Sequence, residues 1–211
     1  MTQVDQGIRG LLTSASNYDL FQGLVGAKRV RHSLSVEYIQ ANPGMKVLDI
    51  GCGTGGILAD LPDVDYLGFD LNQKYLEAAT QRYGARGRFI CADVNDAPTE
   101  IEGVFDRVLA LGLLHHLEDE EVFALMALSC RLLAPGGKLI TIDPCYRDGQ
   151  PTLARFLINR DRGRNARTEQ GYVELARTAF QSVEAFIRED LLRVPYTHVI
   201  LRCGLDTLAQ G

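Results

Sequence analysis

The amino-acid sequence predicts an α/β fold, a single doubly wound domain whose mostly parallel sheet carries helices on both faces. From Met45 onward, short apolar runs alternate with helix-like stretches, which is the pattern of repeated βαβ units. The apolar runs are continuous, as expected of strands covered on both faces. The glycine-rich stretch 51–56 follows the first run and is typical of a strand that turns sharply beside a bound ligand.

Seven strands are predicted. Five come before Pro144, at 46–50, 65–70, 88–93, 105–112 and 138–143, and two follow, at 183–191 and 196–203. The last two are joined by a connection too short for a parallel crossover, so we expect them to pair antiparallel.

Three helices are predicted between the strands. One runs from an N-cap at Asn72 to Gly84, one from an acidic first turn at Glu118 to the Pro135–Gly137 break, and one covers 168–180. Residues 1–42 are predicted to form an N-terminal helical cap over one edge of the sheet. Residues 43–211 form the core, and an insertion at 146–170, without a predicted element before 168, interrupts the alternation.

Composition favours small-molecule chemistry. A net charge of −5 argues against a surface that grips nucleic acid, so a nucleic-acid partner is not expected. The five cysteines are scattered singly, so no zinc or other metal site is predicted, and a reducing cytoplasmic location suits them. No leader is recognisable and no apolar segment approaches the ~20 residues of a membrane span, so no membrane partner is expected; a homodimer is left open.

The glycine stretch fits two kinds of ligand. Its spacing matches the Gly-x-Gly-x-x-Gly of dinucleotide-binding folds, in which a pyrophosphate sits on the following helix. The carboxylate of Asp49, two residues ahead, would be an awkward neighbour for that phosphate. A ligand with an ammonium group and no phosphate would be attracted by it, and S-adenosylmethionine is such a ligand.

Two further aspartates end predicted strands. Asp70 could accept hydrogen bonds from both hydroxyls of a ribose, a role that either cofactor needs. Asp93 could accept from an adenine amino group while the Val94 N–H meets a ring nitrogen. The alternative for both aspartates is a helix or turn cap.

Five motifs occur in a characteristic order: VLDIGCGTG, GFDLN, FICADVND, FDRVLALGLLHHLED and RLLAPGGKLITID. Over residues 46–143 the sequence therefore resembles the class I S-adenosylmethionine-dependent methyltransferases of the small-molecule type. The resemblance implies a Rossmann-like sheet of seven strands, six parallel and the last antiparallel. It also implies that S-adenosylmethionine is the cofactor. Its methionine part would face Asp49, Gly51, Cys52 and Gly53, its ribose Asp70, and its adenine Asp93 and Val94. Further cofactor contacts are expected at Tyr18, Gly55, Leu71 and the backbone of Leu111.

The catalytic residues are predicted beyond the carboxyl ends of strands four and five. His115 and His116 follow strand four and Asp143 ends strand five, so one histidine, preferably His115, could act as a base oriented by this aspartate. The alternative is that the histidines pack against the cofactor or cap the next helix.

The insertion carries a concentrated positive charge. Residues 155–167 contain five arginines and one aspartate, which suggests an acceptor with a phosphate or carboxylate. Tyr146, Arg160 and Arg164 are the predicted acceptor contacts, and the alternative is a solvated loop whose arginines pair with the acidic body.

These observations predict methyl transfer from S-adenosylmethionine to a small molecule, such as an anionic metabolite or nucleotide-linked sugar, with oxygen acceptors ahead of nitrogen or carbon. A nucleic-acid methyltransferase and a non-catalytic cofactor-binding scaffold are the alternatives, and an NAD-dependent reductase comes last.

Overall fold

The computed structural model describes residues 27–93, 104–161 and 163–205. The strands in this part of the chain are β1 (Lys46–Ile50), β2 (Asp65–Asp70), β3 (Gly87–Cys91), β4 (Phe105–Leu111), β5 (Leu133–Tyr146), β6 (Arg167–Thr168), β7 (Ser182–Arg188) and β8 (His198–Gly204). The helices are α1 (Ala27–Ser33), continued by a π-helix over Leu34–Ile39, α2 (Gln73–Tyr83), α3 (Asp119–Leu132), α4 (Thr152–Asn159) and α5 (Glu169–Arg177).

The sheet has the predicted topology. Its strand order is β3-β2-β1-β4-β5-β8-β7, with the short β6 pairing beside β5. The strands from β3 to β5 are parallel, and β8 runs antiparallel to both β5 and β7. Six strands of this order therefore run in one direction and the last strand in the chain runs in the other.

Apolar side chains alternate between two cores, one on each face of the sheet. Leu48, Val108 and Leu139 point to the face that α3 and α5 cover. The neighbouring positions Val47, Leu109 and Ile140 point to the other core, whose members also include Leu34, Tyr38, Ile39, Ile57 and Leu58. The described part of the N-terminal segment thus packs on a face of the sheet, whereas the sequence predicted that it covers an edge. Residues 1–26 of the predicted cap lie outside the described residues.

The predicted helices begin at their caps. The Asn72 side chain accepts from the Lys74 amide at the start of α2, and Glu118 and Glu121 form a capping box at α3. Helix α3 ends earlier than predicted, because β5 already begins at Leu133. Leu133 pairs with Phe105 and Lys138 with Arg107, so residues 134–137 of β5 form a bulge opposite the single residue Asp106.

The insertion contains a helix that the sequence analysis did not predict. Helix α4 buries Ala154 and Ile158 against the body and leaves Leu153 and Phe156 half exposed. It has only eight residues, too few for a clear helical period to emerge from the surrounding polar sequence. None of the described helices has the length and apolar character needed to cross a membrane.

Candidate active site

The predicted site residues lie along one edge of the sheet. Strands β2, β1, β4 and β5 are parallel neighbours, so their carboxyl ends meet there. Asp49 and Asp70 lie at the ends of β1 and β2, and Leu111 ends β4. Asp143 follows Ile142, the residue of β5 that pairs with Leu111. The fold thus brings together residues that are up to 94 positions apart in the sequence.

The glycine loop has its own amides engaged. Gly51, Gly53 and Gly55 have φ angles of 70°, 54° and 68°, which side chains rarely adopt. The Gly51 and Cys52 amides donate to the Phe69 carbonyl at 2.8 and 3.0 Å, and the Gly53 amide donates to Asp70 at 2.9 Å. Only a four-residue 3₁₀ turn follows the loop. With these amides engaged and only a short turn behind the loop, the loop is a poor match for a pyrophosphate, which argues against the dinucleotide interpretation.

Asp49 has a buried oxygen that lacks a partner. The residue is 2% exposed, and its Oδ2 accepts a hydrogen bond of 2.6 Å from the Tyr66 hydroxyl. Its Oδ1 is buried and has no hydrogen bond within the described chain. Burial raises the pKa of Asp49 to about 7, the negative charge of Asp70 adds to this, and the Tyr66 hydrogen bond opposes it. An ammonium group would satisfy the free oxygen and stabilise the carboxylate, so this residue fits the methionine end of S-adenosylmethionine.

Asp70 and Leu71 suit the nucleoside end of the same ligand. The Asp70 carboxylate accepts from the Gly53 and Asn72 amides, which orients it while leaving lone pairs for hydroxyl groups. Leu71 is 68% exposed, an unusual exposure for a large apolar side chain beside a site. Asp93 lies two residues beyond β3. Val94 and Tyr18 lie outside the described residues.

The Cys52 thiol is packed inside the protein rather than reactive. A Cβ atom on Gly68 of β2 would lie 2.8 Å from the Cys52 Sγ, so the thiol is packed against that strand. Burial and the carboxylates of Asp49 and Asp70 raise the pKa of this thiol. The side chain is therefore a neutral packing group, and the Cys52 main chain is bonded to Phe69 and Gly55.

The glycine loop contacts the turn that follows β4. A Cβ atom on Gly51 would come within 3.0 Å of the Leu113 side chain, which precedes the 3₁₀ turn Leu114–His116. Gly112, which lies between β4 and Leu113, has a φ of 70°, and its amide donates to the Ile142 carbonyl at 2.7 Å. The glycine loop is thus directly next to the turn that carries the predicted base.

His115 and Asp143 form a buried pair. The His115 Nδ1 lies 2.8 Å from Asp143 Oδ1, and the same oxygen accepts from the His115 main-chain amide at 3.1 Å. His115 is 5% exposed, and its ring lies 4.1 Å from that of His116, centroid to centroid. Burial raises the pKa of Asp143, against the hydrogen bonds and charge of His115 that lower it. With Asp143 ionised, Nδ1 keeps its proton and Nε2 is the basic nitrogen.

Three residues beside His115 were not predicted from the sequence. Asp161 Oδ1, in the insertion, lies 3.8 Å from His115 Nε2, and its Oδ2 accepts a 2.5 Å hydrogen bond from the Tyr196 hydroxyl. The Tyr196 ring lies 4.8 Å from that of His198. Burial lowers the pKa of His198 to about 4, so its ring is neutral at neutral pH. The sequence contained one signal for Tyr196 and His198, because an antiparallel last strand must begin at the edge where the parallel strands end.

The structure brings only some of the predicted acceptor contacts into contact with other residues of the insertion. Tyr146 ends β5, and its hydroxyl donates to Asn159 of the insertion at 2.6 Å. Arg160 and Arg164 are exposed, and the Arg160 guanidinium lies 4.7 Å from the centre of the Phe156 ring. Neither arginine makes a salt bridge with a carboxylate in the described part of the chain.

Arg167 has a structural role. Its guanidinium donates to the carbonyls of Leu114, Leu117 and Asn165 and pairs with Asp119. It thus ties the end of the insertion to the turn that carries His115. Within residues 27–93, 104–161 and 163–205, no three His, Cys, Asp or Glu side chains converge as a metal site would require.

Comparison with known proteins gives consistent matches. Residues 47–137 match the model of the methyltransferase domain family. Phosphoethanolamine N-methyltransferase 1 from Triticum aestivum is 31% identical over 75% of the chain and 33% of its own length, so the chain spans about a third of that relative. A ubiquinone biosynthesis O-methyltransferase from Chromobacterium violaceum is 37% identical over 44% of the chain and 42% of the relative. The crystal structure of human N-acetylserotonin methyltransferase in complex with SAM superimposes with a TM-score of 0.66 at 18% identity, covering 96% of the chain and 60% of that structure.

The fold is Rossmann-like and is shared with the methyltransferase structure named above. Residues 47–137 belong to the methyltransferase domain family, and the fold and the motifs support a class I S-adenosylmethionine-dependent methyltransferase. The family match ends at residue 137, before Asp143, Asp161 and Tyr196.

Proposed function

We propose that the chain transfers a methyl group from S-adenosylmethionine to a small-molecule acceptor that carries an anionic group. The residues that would hold the cofactor are Asp49 for its ammonium, the loop 51–55 for its methionine part, and Asp70, Leu71 and Asp93 for its nucleoside. The single observation that carries the catalytic proposal is the His115–Asp143 hydrogen bond, at the sheet edge and next to the glycine loop.

The cofactor supplies a methyl group on a positively charged sulfur, which is already activated for displacement. The chain has to hold the acceptor in line and to accept a proton from its nucleophile. Asp143 fixes the His115 ring through Nδ1, so that Nε2 can take this proton. The buried carboxylate then stabilises the resulting imidazolium.

The acceptor's anionic group has candidate partners in the insertion. Arg160 and Arg164 are exposed on the same loop as Asp161, and neither is neutralised by a carboxylate among the described residues. Arginine forks bind phosphate and carboxylate well. The relatives named above include both an N- and an O-methyltransferase, so their names leave the acceptor atom open. The sequence analysis favoured oxygen as the acceptor atom, and this stays a prediction.

Cofactor binding is tested by calorimetric titration with S-adenosylhomocysteine. We expect the wild type to bind it and Asp70→Ala to lose at least about tenfold in affinity, because the ribose hydroxyls lose a charged acceptor. Binding of NADH with none of S-adenosylhomocysteine would contradict the proposal.

The base is tested by measuring S-adenosylhomocysteine release with a panel of small anionic alcohols and amines. His115→Gln should keep the cofactor affinity of the wild type and slow turnover by about 100-fold or more, because the acceptor's proton has no receiver. The matched control is His32→Gln, since His32 is an exposed histidine on α1. Full activity of His115→Gln would return this histidine to a packing role.

A further inference from the structure

The Tyr66 ring reaches the Asp49 carboxylate along β2. Tyr66 lies two positions before Gly68, the residue of β2 that pairs with Asp49 of β1. Because Tyr66 and Gly68 point to the same face of the sheet, the ring extends over the place where a Gly68 side chain would lie. A Cβ atom there would come within 3.0 Å of the ring. The glycine therefore leaves the room through which the Tyr66 hydroxyl donates to Asp49 Oδ2 at 2.6 Å.

The Tyr66 ring is also held from its other sides. The residue is 1% exposed, and a Cβ atom on Gly87 of β3 would lie 2.8 Å from the ring. The Phe89 ring packs against it with the two ring centres 5.8 Å apart. A buried hydroxyl needs a hydrogen-bond partner, and in the described part of the chain the Tyr66 hydroxyl has Asp49. Tyr66 is thus a donor with a fixed position.

This hydrogen bond makes the two oxygens of the Asp49 carboxylate different. Oδ2 is occupied by the Tyr66 hydroxyl, whereas Oδ1 is buried and has no hydrogen bond to any residue that the structure describes. The torsion that turns a carboxylate is broad, so a free aspartate can exchange its two oxygens. A donor fixed on Oδ2 opposes this rotation. Oδ1 is therefore the oxygen that is left for a ligand.

Tyr66 also favours the ionised form of a carboxylate that its surroundings disfavour. The titratable side chains that face Asp49 are Tyr66 and Asp70 of β2 and Cys52 of the glycine loop, while β4 presents Leu109 beside it. Burial and Asp70 raise the pKa of Asp49 to about 7, and the Tyr66 hydrogen bond opposes this rise. No cationic side chain in the described ranges forms a salt bridge with Asp49.

We propose that Tyr66 is a positioning residue of the cofactor site: its hydroxyl turns the Asp49 carboxylate and favours its ionised form, so that Oδ1 receives the ammonium of S-adenosylmethionine. This inference rests on the proposed function and adds a proton to it. The ammonium and a proton compete for the same carboxylate, so cofactor binding and the protonation of Asp49 exclude each other.

The proton balance of binding follows from this competition, and no covalent step is involved. Protonated Asp49 gives its proton to solvent when the ligand binds, and the ligand's ammonium keeps its three protons and donates one N–H to Oδ1. Up to one proton is therefore released per ligand below the pKa of Asp49, and none well above it. The affinity should fall by at most about tenfold for each pH unit below about 7.

The test is calorimetric titration of S-adenosylhomocysteine, which carries the same ammonium, into the full chain between about pH 5.5 and about pH 8. The wild-type affinity should rise with pH and level off above about pH 7, and two buffers of different ionisation enthalpy should reveal the released proton near pH 6. Tyr66→Phe should move this levelling-off upward by about one pH unit, because the ionised carboxylate loses a hydrogen bond. Asp49→Asn should bind with an affinity that no longer depends on pH.

Tyr172→Phe is the matched control. It removes the hydroxyl of another fully buried tyrosine, which donates to the Pro144 carbonyl at 3.1 Å. Its binding should follow the wild-type pH profile, and thermal melts should show that all variants fold. The same pH profile in Tyr66→Phe and the wild type, or a pH dependence that persists in Asp49→Asn, would overturn the inference. If S-adenosylhomocysteine binds at no pH, the proposed function fails; if it binds with an affinity independent of pH, the inference fails alone.

Discussion

At the scale of single residues, folding favours the protonated form of Asp49, whereas the ammonium of the proposed ligand would favour its ionised form. An unfolded aspartate has a pKa of about 4, whereas burial raises that of folded Asp49 to about 7. The folded state thus binds the proton more tightly. The resulting stabilisation is complete below about pH 4 and is lost progressively as the pH rises to about 7. At neutral pH, the ligand-free protein holds a carboxylate that the ligand's ammonium would stabilise.

Replacing Asp49 should remove this pH dependence. Relative to Asp49→Asn, the free energy of unfolding of the wild type is expected to fall by about 2 kcal/mol between pH 5 and pH 8. Urea unfolding of both proteins at intervals across this range measures it. Asp65→Asn removes an exposed carboxylate from the first position of β2 and should follow the wild type. Parallel pH profiles for the wild type and Asp49→Asn would show that Asp49 is ionised normally in the folded state.

The residues at the ends of predicted strands could be located from sequence, and those brought in by tertiary folding could not. Asp70, His115 and Asp143 each follow a recognisable apolar run, so their common edge follows from the parallel sheet. Asp161 lies in an arginine-rich segment without a period, and Tyr196 precedes a strand whose place between β5 and β7 depends on the whole topology. No local pattern places these two side chains against each other.

At the scale of elements, the insertion is tied down by Arg167. Four hydrogen bonds from one guanidinium link the start of β6 to the Leu114–Leu117 turn and to Asp119 of α3, and a fifth goes to Asn165 within the insertion. The Asn165 amide also donates to the His115 carbonyl at 3.0 Å, and Gly163 packs so closely that a Cβ atom there would overlap the His115 ring. The insertion and the base are therefore positioned by the same contacts.

Truncating this arginine should loosen the insertion. Arg167→Ala is expected to lower the free energy of unfolding by about 2 kcal/mol, because three carbonyls lose their donor. It should also speed hydrogen exchange at the Asn165 amide by about tenfold. Arg167→Lys should recover only part of the loss, since an ammonium cannot reproduce the fork. Arg164→Ala, which removes an exposed arginine, is the control, and equal effects of Arg164→Ala and Arg167→Ala would contradict the role of Arg167.

The elements themselves show what sequence patterns can and cannot give. The first four strands and α2 match their predicted positions closely, because apolar runs and an N-cap mark them, whereas β5 extends beyond the predicted 138–143 at both ends. Helix α4 was missed because eight residues cover only about two turns. The predicted end of α3 was too late in the chain, because Pro135 and the glycines after it were taken as the end of the helix. In the structure, Leu133 already pairs with Phe105 of β4.

At the scale of the whole molecule, charge is unevenly distributed. The chain has a net charge of −5, yet residues 155–167 carry five arginines and one aspartate. Exposed charges interact over about a Debye length, which falls from about 20 Å to about 7 Å between 20 and 200 mM salt. A positive insertion on an acidic body can attract a small anion at low salt and lose that attraction at high salt.

Inorganic phosphate provides a probe of this distribution. Its binding, followed by ³¹P NMR, should weaken severalfold over the same salt range, and the double variant Arg160→Glu/Arg164→Glu should abolish it. Lys74→Glu/Arg177→Glu changes the net charge equally at two exposed positions outside the insertion and should bind phosphate almost as the wild type does. Equal losses in both double variants would mean that net charge, and not the insertion, attracts the anion.

The direction of the last strand separates the proposed cofactor residues and the proposed acceptor residues into two parts of the sequence. Because β8 pairs antiparallel with β5, Tyr196 and His198 lie at the sheet edge that carries Asp143, close to Asp161 of the insertion. The proposed cofactor residues lie within the first half of the described chain, whereas the groups around His115 that the acceptor would meet, His116 apart, come from the single stretch 143–198. On the proposed function, we expect that exchanging this one stretch between relatives would change the acceptor and leave the proposed donor site in place.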